Sequence, residues 1–383
     1  MCFFGQESWA EPFLLQFLQL KGRLRKFYEE NALSFDVAVA NCTKQAANYK
    51  LTMPSYQSQE FLFQRIKELL PPHASLVDSV AEILHISSDS AYRRIRGETP
   101  VVLDEARELS RHFKLSLDQI LNVQGGATLF QNVRIDLKNY SFEKYLTDLI
   151  KQVEYVNSFI HKEIIYLTKD MPIFHNFYYK PLIAFRYFFW MKNIMQHPDF
   201  QNRGFEFGCV SPEIEKLSRE LAMAYNKVPS TEIWNTESIN AAILQIEFYK
   251  DSGYFSSAAD IKTIYESLEE TFLHLRNAVE CGRKFMPEEN PDSKKDNFKF
   301  FYNRVILGDN TIMVVTDRLK TVFINYDVLN YMFTRDEIFC NPCYEDLQNM
   351  TKKSTLISQT SEKQRNIFFN IMPNKINERK KIL

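Results

Sequence analysis

Along most of the chain apolar residues recur every three or four positions, the spacing of one helical face, and only near residue 300 do they gather into short β-rich runs. The first periodic stretch, residues 12–30, predicts one amphipathic helix, with a polar segment after it. Residues 58–121 divide into short helices. A helix over 58–70, with Phe61, Ile66, Leu69 and Leu70 apolar, is stopped by Pro71 and Pro72. The next, Leu76–Leu84, is entered from Ser75 with Asp78 three residues on, a variant of the capping box. A third covers 88–96 and ends at Gly97. A fourth covers 103–114, and a last turn covers 117–121. Gly125 and Gly126 then mark a linker.

Residues 130–285 read as helical. FEKYLTDLIKQVEYVNSFI and AADIKTIYESLEETFLHLRNAVECG are long periodic stretches, and FHNFYYKPLIAFRYFFWM is an aromatic-dense piece between them. PEENPDSKKDN interrupts the pattern at 287–297. At 298–326 the runs FKFFYNRVIL, TIMVVT and TVFINY, separated by turn residues, predict a three-stranded meander. Helices are expected to resume from about Asp327. The last begins at Ser361, where Ser361 and Gln364 match a capping box. The pattern as a whole predicts a mainly α protein. A small helical unit at 58–124 precedes a larger helical (α+β) unit at 127–383 with a small antiparallel β-meander at 298–326. Residues 1–57 read equally as an N-terminal arm or as a misassigned leader, because a start at Met53 leaves the rest intact.

Composition supports a packed helical protein. The chain of 383 residues is 45% hydrophobic, and it carries 32 Phe against 10 Gly, which favours large buried cores over turn-rich β structure. The net charge of −1 supplies no global field that draws the chain to nucleic acid or membranes, so any such binding must come from a local patch. No run reaches the roughly 18 apolar residues of a membrane span; Arg186 and Lys192 interrupt the nearest, PLIAFRYFFWMKNIM. The N-terminus places apolar residues before basic ones, the reverse of a secretory signal. Six cysteines show no disulfide-framework spacing. The expectation is a cytoplasmic protein without a membrane partner.

One segment carries candidate chemistry: SLVDSVAEILHISSDSAYRRIRGE, residues 75–98. Two short helices that cross steeply need a small residue where they touch, and Ala81 is placed for that. Ile86 is the apolar residue of the turn, and Ser87 or Ser88 can cap the next helix. Gly97 closes that helix in a conformation other residues disfavour. At 100° per residue Ala91 and Ile95 share the inward face. Arg93 lies opposite, with Asp89, Ser90 and Arg96 to either side, and Tyr92 and Arg94 flank the buried stripe. Hydroxyls at the N-terminal end and arginines along the length suit a helix lying in the major groove of double-stranded DNA. Ser75 and Ser88 each open a helix whose N–H groups can hold phosphates. The plainer reading of such a helix is a solvated arginine face on an ordinary bundle.

The stretch from about residue 58 to 121 resembles the lambda-repressor-like helix-turn-helix domains of bacterial XRE and BetR-type transcription regulators. VAEILHIS matches the first helix and turn of that motif, SDSAYRRIRGE its reading helix, and LDEARELSRHFKLSLDQIL the helices after it; the likeness covers roughly a sixth of the chain. The resemblance implies base contacts from Ser88, Asp89, Tyr92 and Arg93 and backbone contacts from Ser87 and Arg96. The family has an apolar residue three after the position of Ala91, where this chain has Arg94, so Arg94 is open to either role. Residues 58–121 hold eight Lys or Arg against ten Asp or Glu. Few phosphate contacts make one such domain a weak binder, which implies a homodimer on two half-sites.

Elsewhere the residues suggest less. The aromatic segment 174–190 reads as a pocket for an apolar effector, as core, or as a dimer interface. Such a long second region implies sensing or dimerisation, with a small-molecule or protein effector, by architectural analogy alone. Cys340 and Cys343 have CxxC spacing, but a zinc site wants about four ligands and no second pair exists. The seven histidines are scattered, and no phosphate loop, nucleophile elbow or zinc-protease motif occurs. No cofactor, metal or enzymatic activity is expected. Two other readings stay open: a protein-interaction module that keeps the helical scaffold without reading DNA, and an enzyme in 130–383 with a DNA-binding address. The basic tail with Arg379, Lys380 and Lys381 reads as a solvated end or a phosphate contact.

Overall fold

The structure, a computed structural model, describes residues 57–121, 128–133, 140–290, 296–305, 308, 310–326 and 330–381. The helix expected over 12–30, residues 1–56 of the arm or leader, and the linker at Gly125 and Gly126 lie outside the described residues, while Gln57 already belongs to the first described helix.

Five short helices come first: α1 (Gln57–Leu69), α2 (Leu76–Leu84), α3 (Ser88–Ile95), α4 (Leu103–Phe113) and α5 (Leu117–Ile120). Their bounds follow local chemistry. Ser75 Oγ accepts from the Asp78 amide and Ser87 Oγ from the Ser90 amide, each satisfying an orphan donor of a first turn. Gly97 follows α3 at φ 76°, where a Cβ is disfavoured. The bundle closes on its own small core of Leu62, Phe63, Ile66, Val80, Ala91 and Leu109, with Ala81, Ile86 and Ile95 packed against it.

The second unit is built on one mixed eight-stranded sheet, in the order β1-β7-β6-β5-β2-β3-β4-β8. Its strands are β1 (Gln131–Val133), β2 (Lys162–Leu167), β3 (Ser230–Trp234), β4 (Phe298–Tyr302), β5 (Thr311–Thr316), β6 (Lys320–Asn325), β7 (Tyr331–Thr334) and β8 (Thr355–Leu356). The expected three-stranded meander is corrected here. β5, β6 and β7 form antiparallel neighbours, but β4 pairs in parallel with β3, on the far side of β2. β2 and β3, inside the region read as helical, are parallel central strands. Every residue of β3 is buried, so neither shows the alternation of a half-exposed strand. The return to helix after 326 is also delayed: β7 intervenes before α12 (Glu337–Lys352).

Large helices cover one face of the sheet: α6 (Phe142–Asn157), α7 (Lys180–Phe189), α8 (Pro198–Gln201), α9 (Pro212–Lys227), α10 (Asn240–Asp251), α11 (Ala258–Cys281) and, after α12, α13 (Glu362–Lys380). They share an aromatic-rich core in which Phe185, Phe188 and Tyr249 pack edge to face. α12 covers the opposite face over Ile165, Ile233, Met313 and Val322. The start of α13 differs from expectation. Ser361 is left-handed at φ 51° and its side chain caps nothing, so no capping box forms with Gln364.

At the centre of the sheet Glu232 is fully buried and collects its partners inside the core. Tyr225 donates to it at 2.6 Å, Trp234 Nε1 donates at 2.7 Å, and His175 Nε2 stands 3.0 Å away. Burial alone pushes this carboxyl up, but His175, Lys284 and Tyr225 outweigh burial and hold it below its usual range. Lys284, whose ammonium donates to the carbonyls of Tyr225 and Val228, is pushed down to about 7 by burial.

The two units meet chiefly where α1 ends, and Gln131 of β1 also donates to the Lys114 carbonyl after α4. Tyr155 of α6 donates to the Leu69 carbonyl at 2.6 Å, Arg318 Nη1 donates to the Lys67 carbonyl at 2.6 Å, and Arg65 pairs with Glu337 at 2.8 Å. The carbonyls at the C-terminal end of α1 have no partner within the helix, so these donors complete it.

Candidate nucleic-acid interface

α3 is positioned from below. Ala91 is fully buried between α3 and the rest of the bundle, and its methyl lets the short helix sit close against the core. His85 turns the chain in the left-handed region at φ 53°. The turn aims the first turn of α3 outward, with Ser87, Ser88 and Asp89 exposed and Ser90 half-buried. Ser87 Oγ also lies 3.0 Å from the Ser90 hydroxyl.

Along the outer face Tyr92 is 47% exposed, and the side chains of Arg93 and Arg96 are 60% and 58% exposed. Arg93 Nε stands 3.3 Å from Asp89, one turn earlier, and Arg96 Nε 3.2 Å from Glu98. Arg96 also lies over the Tyr92 ring. These pairs are solvent-exposed and worth at most about 1 kcal/mol each, so a polyanion can take the arginines from them at little cost.

Arg94 has a different position. Its guanidinium makes a two-pronged pair with Glu105 of α4, Nε to Oε2 at 3.0 Å and Nη2 to Oε1 at 2.8 Å, and Nη1 donates to the Ser90 carbonyl. Both side chains are only 18% exposed. The hydrogen bonds to Glu105 raise Arg94, and those from Arg94 lower Glu105. The arginine at the position where the resembled family has an apolar residue is thus turned inward along the bundle. Glu105 also accepts from the Val102 amide and so caps α4, whose N-cap, Val102, has no side-chain oxygen of its own.

No family model matches the chain, and comparison with curated proteins and with solved structures gave no match. The case for the site rests on its own geometry.

A second residue that sequence reasoning did not single out holds α3 in place. Gln59 of α1 donates to the carbonyls of Arg94 and Thr99 at 2.7 and 2.9 Å, and its Oε1 accepts from the Val101 amide at 2.9 Å. It ties the end of α3 and the loop after it to α1. A polar residue in a first turn was visible in the sequence; partners 35 to 42 positions away were not.

The remaining candidates fall elsewhere in the fold. Cys340 and Cys343 lie inside α12, where burial raises both thiols, Cys340 to about 11. The Cys340 thiol faces the Thr334 carbonyl. Among the described residues no three His, Cys, Asp or Glu gather as a metal site, and no helix is long and apolar enough to cross a membrane. His175, one of the histidines that look scattered in the sequence, belongs to the sealed Glu232 cluster. Lys380 of the basic tail pairs with Glu269 at 2.7 Å, and Arg379 with Glu247 at 3.0 Å.

Proposed function

We propose that the chain is a sequence-specific DNA-binding transcription regulator whose helix-turn-helix, of lambda-repressor-like type, reads the major groove with α3. The observation that carries this reading is the division of α3 into two faces. Ala91 at 0% exposure holds one face in the core, while Tyr92, Arg93 and Arg96 stand out on the other beside a serine-capped N-terminus. Arg93 is the base reader by guanidinium fork, with Ser88, Asp89 and Tyr92 beside it. Ser87, Ser90 and Arg96 meet phosphates, and the free amides of the first turn of α3 add to them. Arg94, paired with Glu105, sets the pose of the helix rather than touching DNA.

Phosphate neutralisation by so few cations is weak. The working form is therefore a homodimer on two half-sites about one helical turn, roughly 34 Å, apart. The second unit carries dimerisation or sensing.

The test is retention of a random-sequence duplex pool at low salt by the wild type and by Arg93→Ala with Arg96→Ala. The reading expects the variant to lose at least ten-fold in affinity with an unchanged circular-dichroism spectrum. Equal retention by both proteins contradicts it and favours a scaffold that binds another protein instead.

A further inference from the structure

Between α6 and the sheet lies a cavity of about 1140 Å³, slightly above the range of roughly 300–1,000 Å³ for small-molecule sites. Tyr166, Ile312, Val314 and Phe323 of β2, β5 and β6 form its floor, and Phe174 and Trp190 stand in its wall. Such a lining is mostly aromatic and aliphatic, the surface that holds an apolar body.

Two polar groups interrupt it. Tyr166 is 6% exposed, and its hydroxyl has no hydrogen-bond partner among the described residues. Buried polar groups are ordinarily partnered, so a bare one that opens on a cavity calls for a ligand or water. Arg186 of α7 is the second. Its Nε donates to Asn176 Oδ1 at 2.8 Å and its Nη1 to Gln245, which leaves Nη2 without a hydrogen-bond partner among the described residues. Two amides thus fix the guanidinium plane and leave one prong free. Tyr166, Arg186 and Asp170 all line the cavity, and the Asp170 charge acts on both Tyr166 and Arg186.

The charge of the lining has one sign in excess. Lys114, Lys151, Lys169, Arg186 and Arg335 line it among the described residues, against Asp148 and Asp170. Asp148 already accepts from the Tyr140 hydroxyl at 2.7 Å. Burial lowers Arg186 to about 10, which leaves it cationic at neutral pH.

We propose that this cavity binds an amphipathic organic carboxylate, its apolar body against the aromatic lining and its carboxylate received by Arg186 and the Tyr166 hydroxyl. A planar guanidinium with a free N–H matches a carboxylate oxygen, and a phenol supplies a second donor. Arg186 repels an ammonium, and a neutral carbonyl accepts a weaker hydrogen bond from it than a carboxylate does. Arg186, Tyr166 and the aromatic lining belong to the second unit, and among the described lining residues Lys114 alone comes from the first. None of them lies on α3, so the site does not depend on the reading of DNA by that helix.

The test is calorimetric titration of the full chain with decanoate and 2-naphthoate, and with decanamide and 2-naphthamide as uncharged counterparts. The alkyl and aryl arms report which body the lining prefers. At least one carboxylate is expected to bind at one site, at least ten-fold tighter than its amide. Arg186→Gln is expected to erase that preference and Tyr166→Phe to weaken binding several-fold without altering the fold. The proposal is overturned if neither acid binds at millimolar concentration, or if each amide binds as tightly as its acid. It also fails if Tyr166→Phe binds the acid as tightly as the wild type. Should Arg186→Gln not fold, the amide comparison and Tyr166→Phe decide.

Discussion

At the scale of single residues, Arg94 shows how one side chain changes the account of a helix. The sequence makes it one of three arginines on a short helix and places it beside the buried stripe, but it does not say whether the side chain turns outward or inward. What separates it from Arg93 is Glu105, eleven positions on, which becomes a neighbour only when α4 packs across α3. The outward role of Arg93 and Arg96 was legible because helical geometry alone sets it; the inward role of Arg94 was not, because its partner sits on another element. The pair also predicts a pH effect. Glu105 is depressed in the folded chain, so its contribution is complete above the unfolded carboxyl value of about 4.3 and is lost as pH falls through the lower folded value. Glu105→Gln is expected to destabilise the bundle at pH 7 by about 1–3 kcal/mol. It is also expected to flatten the fall in stability between pH 5 and pH 3, measured by denaturant titration at each pH.

At the scale of elements, the helices of the first unit were legible almost to the residue because their stops are local: Pro71, Gly97 and the two capping serines. The sheet was not. β4, β5 and β6 announce themselves as Val-, Ile- and Phe-rich runs, but their order in the sheet depends on β2 and β3, which insert from earlier in the chain. Those strands are buried on both faces and lack period-two alternation, so they read as parts of helical stretches. The Gln59 clasp belongs to this scale as well. It joins α1 to the end of α3 and the loop after it by three hydrogen bonds. Gln59→Ala is expected to cost about 1.5–3 kcal/mol, at roughly 1 kcal/mol per lost bond or somewhat less. Hydrogen exchange should then show the Val101 amide losing protection before the amides inside α2.

At the scale of the whole molecule, the two units meet where α1 ends. Arg318, in the turn between β5 and β6, and Tyr155, on α6, together complete the last carbonyls of α1. Tyr155 also lines the cavity, so one side chain borders both units. Arg318→Ala with Tyr155→Phe is expected to uncouple them. Calorimetry should then resolve a lower transition for the helical bundle and leave the upper one in place, whereas a single transition unchanged in midpoint contradicts a coupling seam. None of this seam was legible in the sequence, since Arg318 reads there as an ordinary turn residue. The aromatic segment 174–190 was legible only as three alternatives. In the structure Phe185 and Phe188 are core, while Phe174, Arg186 and Trp190 reach the cavity. Arg186, set among apolar residues in the middle of α7, was the one local feature of that run that did not fit a plain core helix.

The reading of DNA sequence by α3 is a proposal open to direct test. Repeated selection of duplexes from a random pool by the purified chain at low salt, and sequencing of the retained pool, tests it most directly. Enrichment of two related half-sites in fixed spacing, close to one helical turn or a multiple of it, is the expected result. A folded chain that enriches no sequence over the starting pool would contradict the proposal.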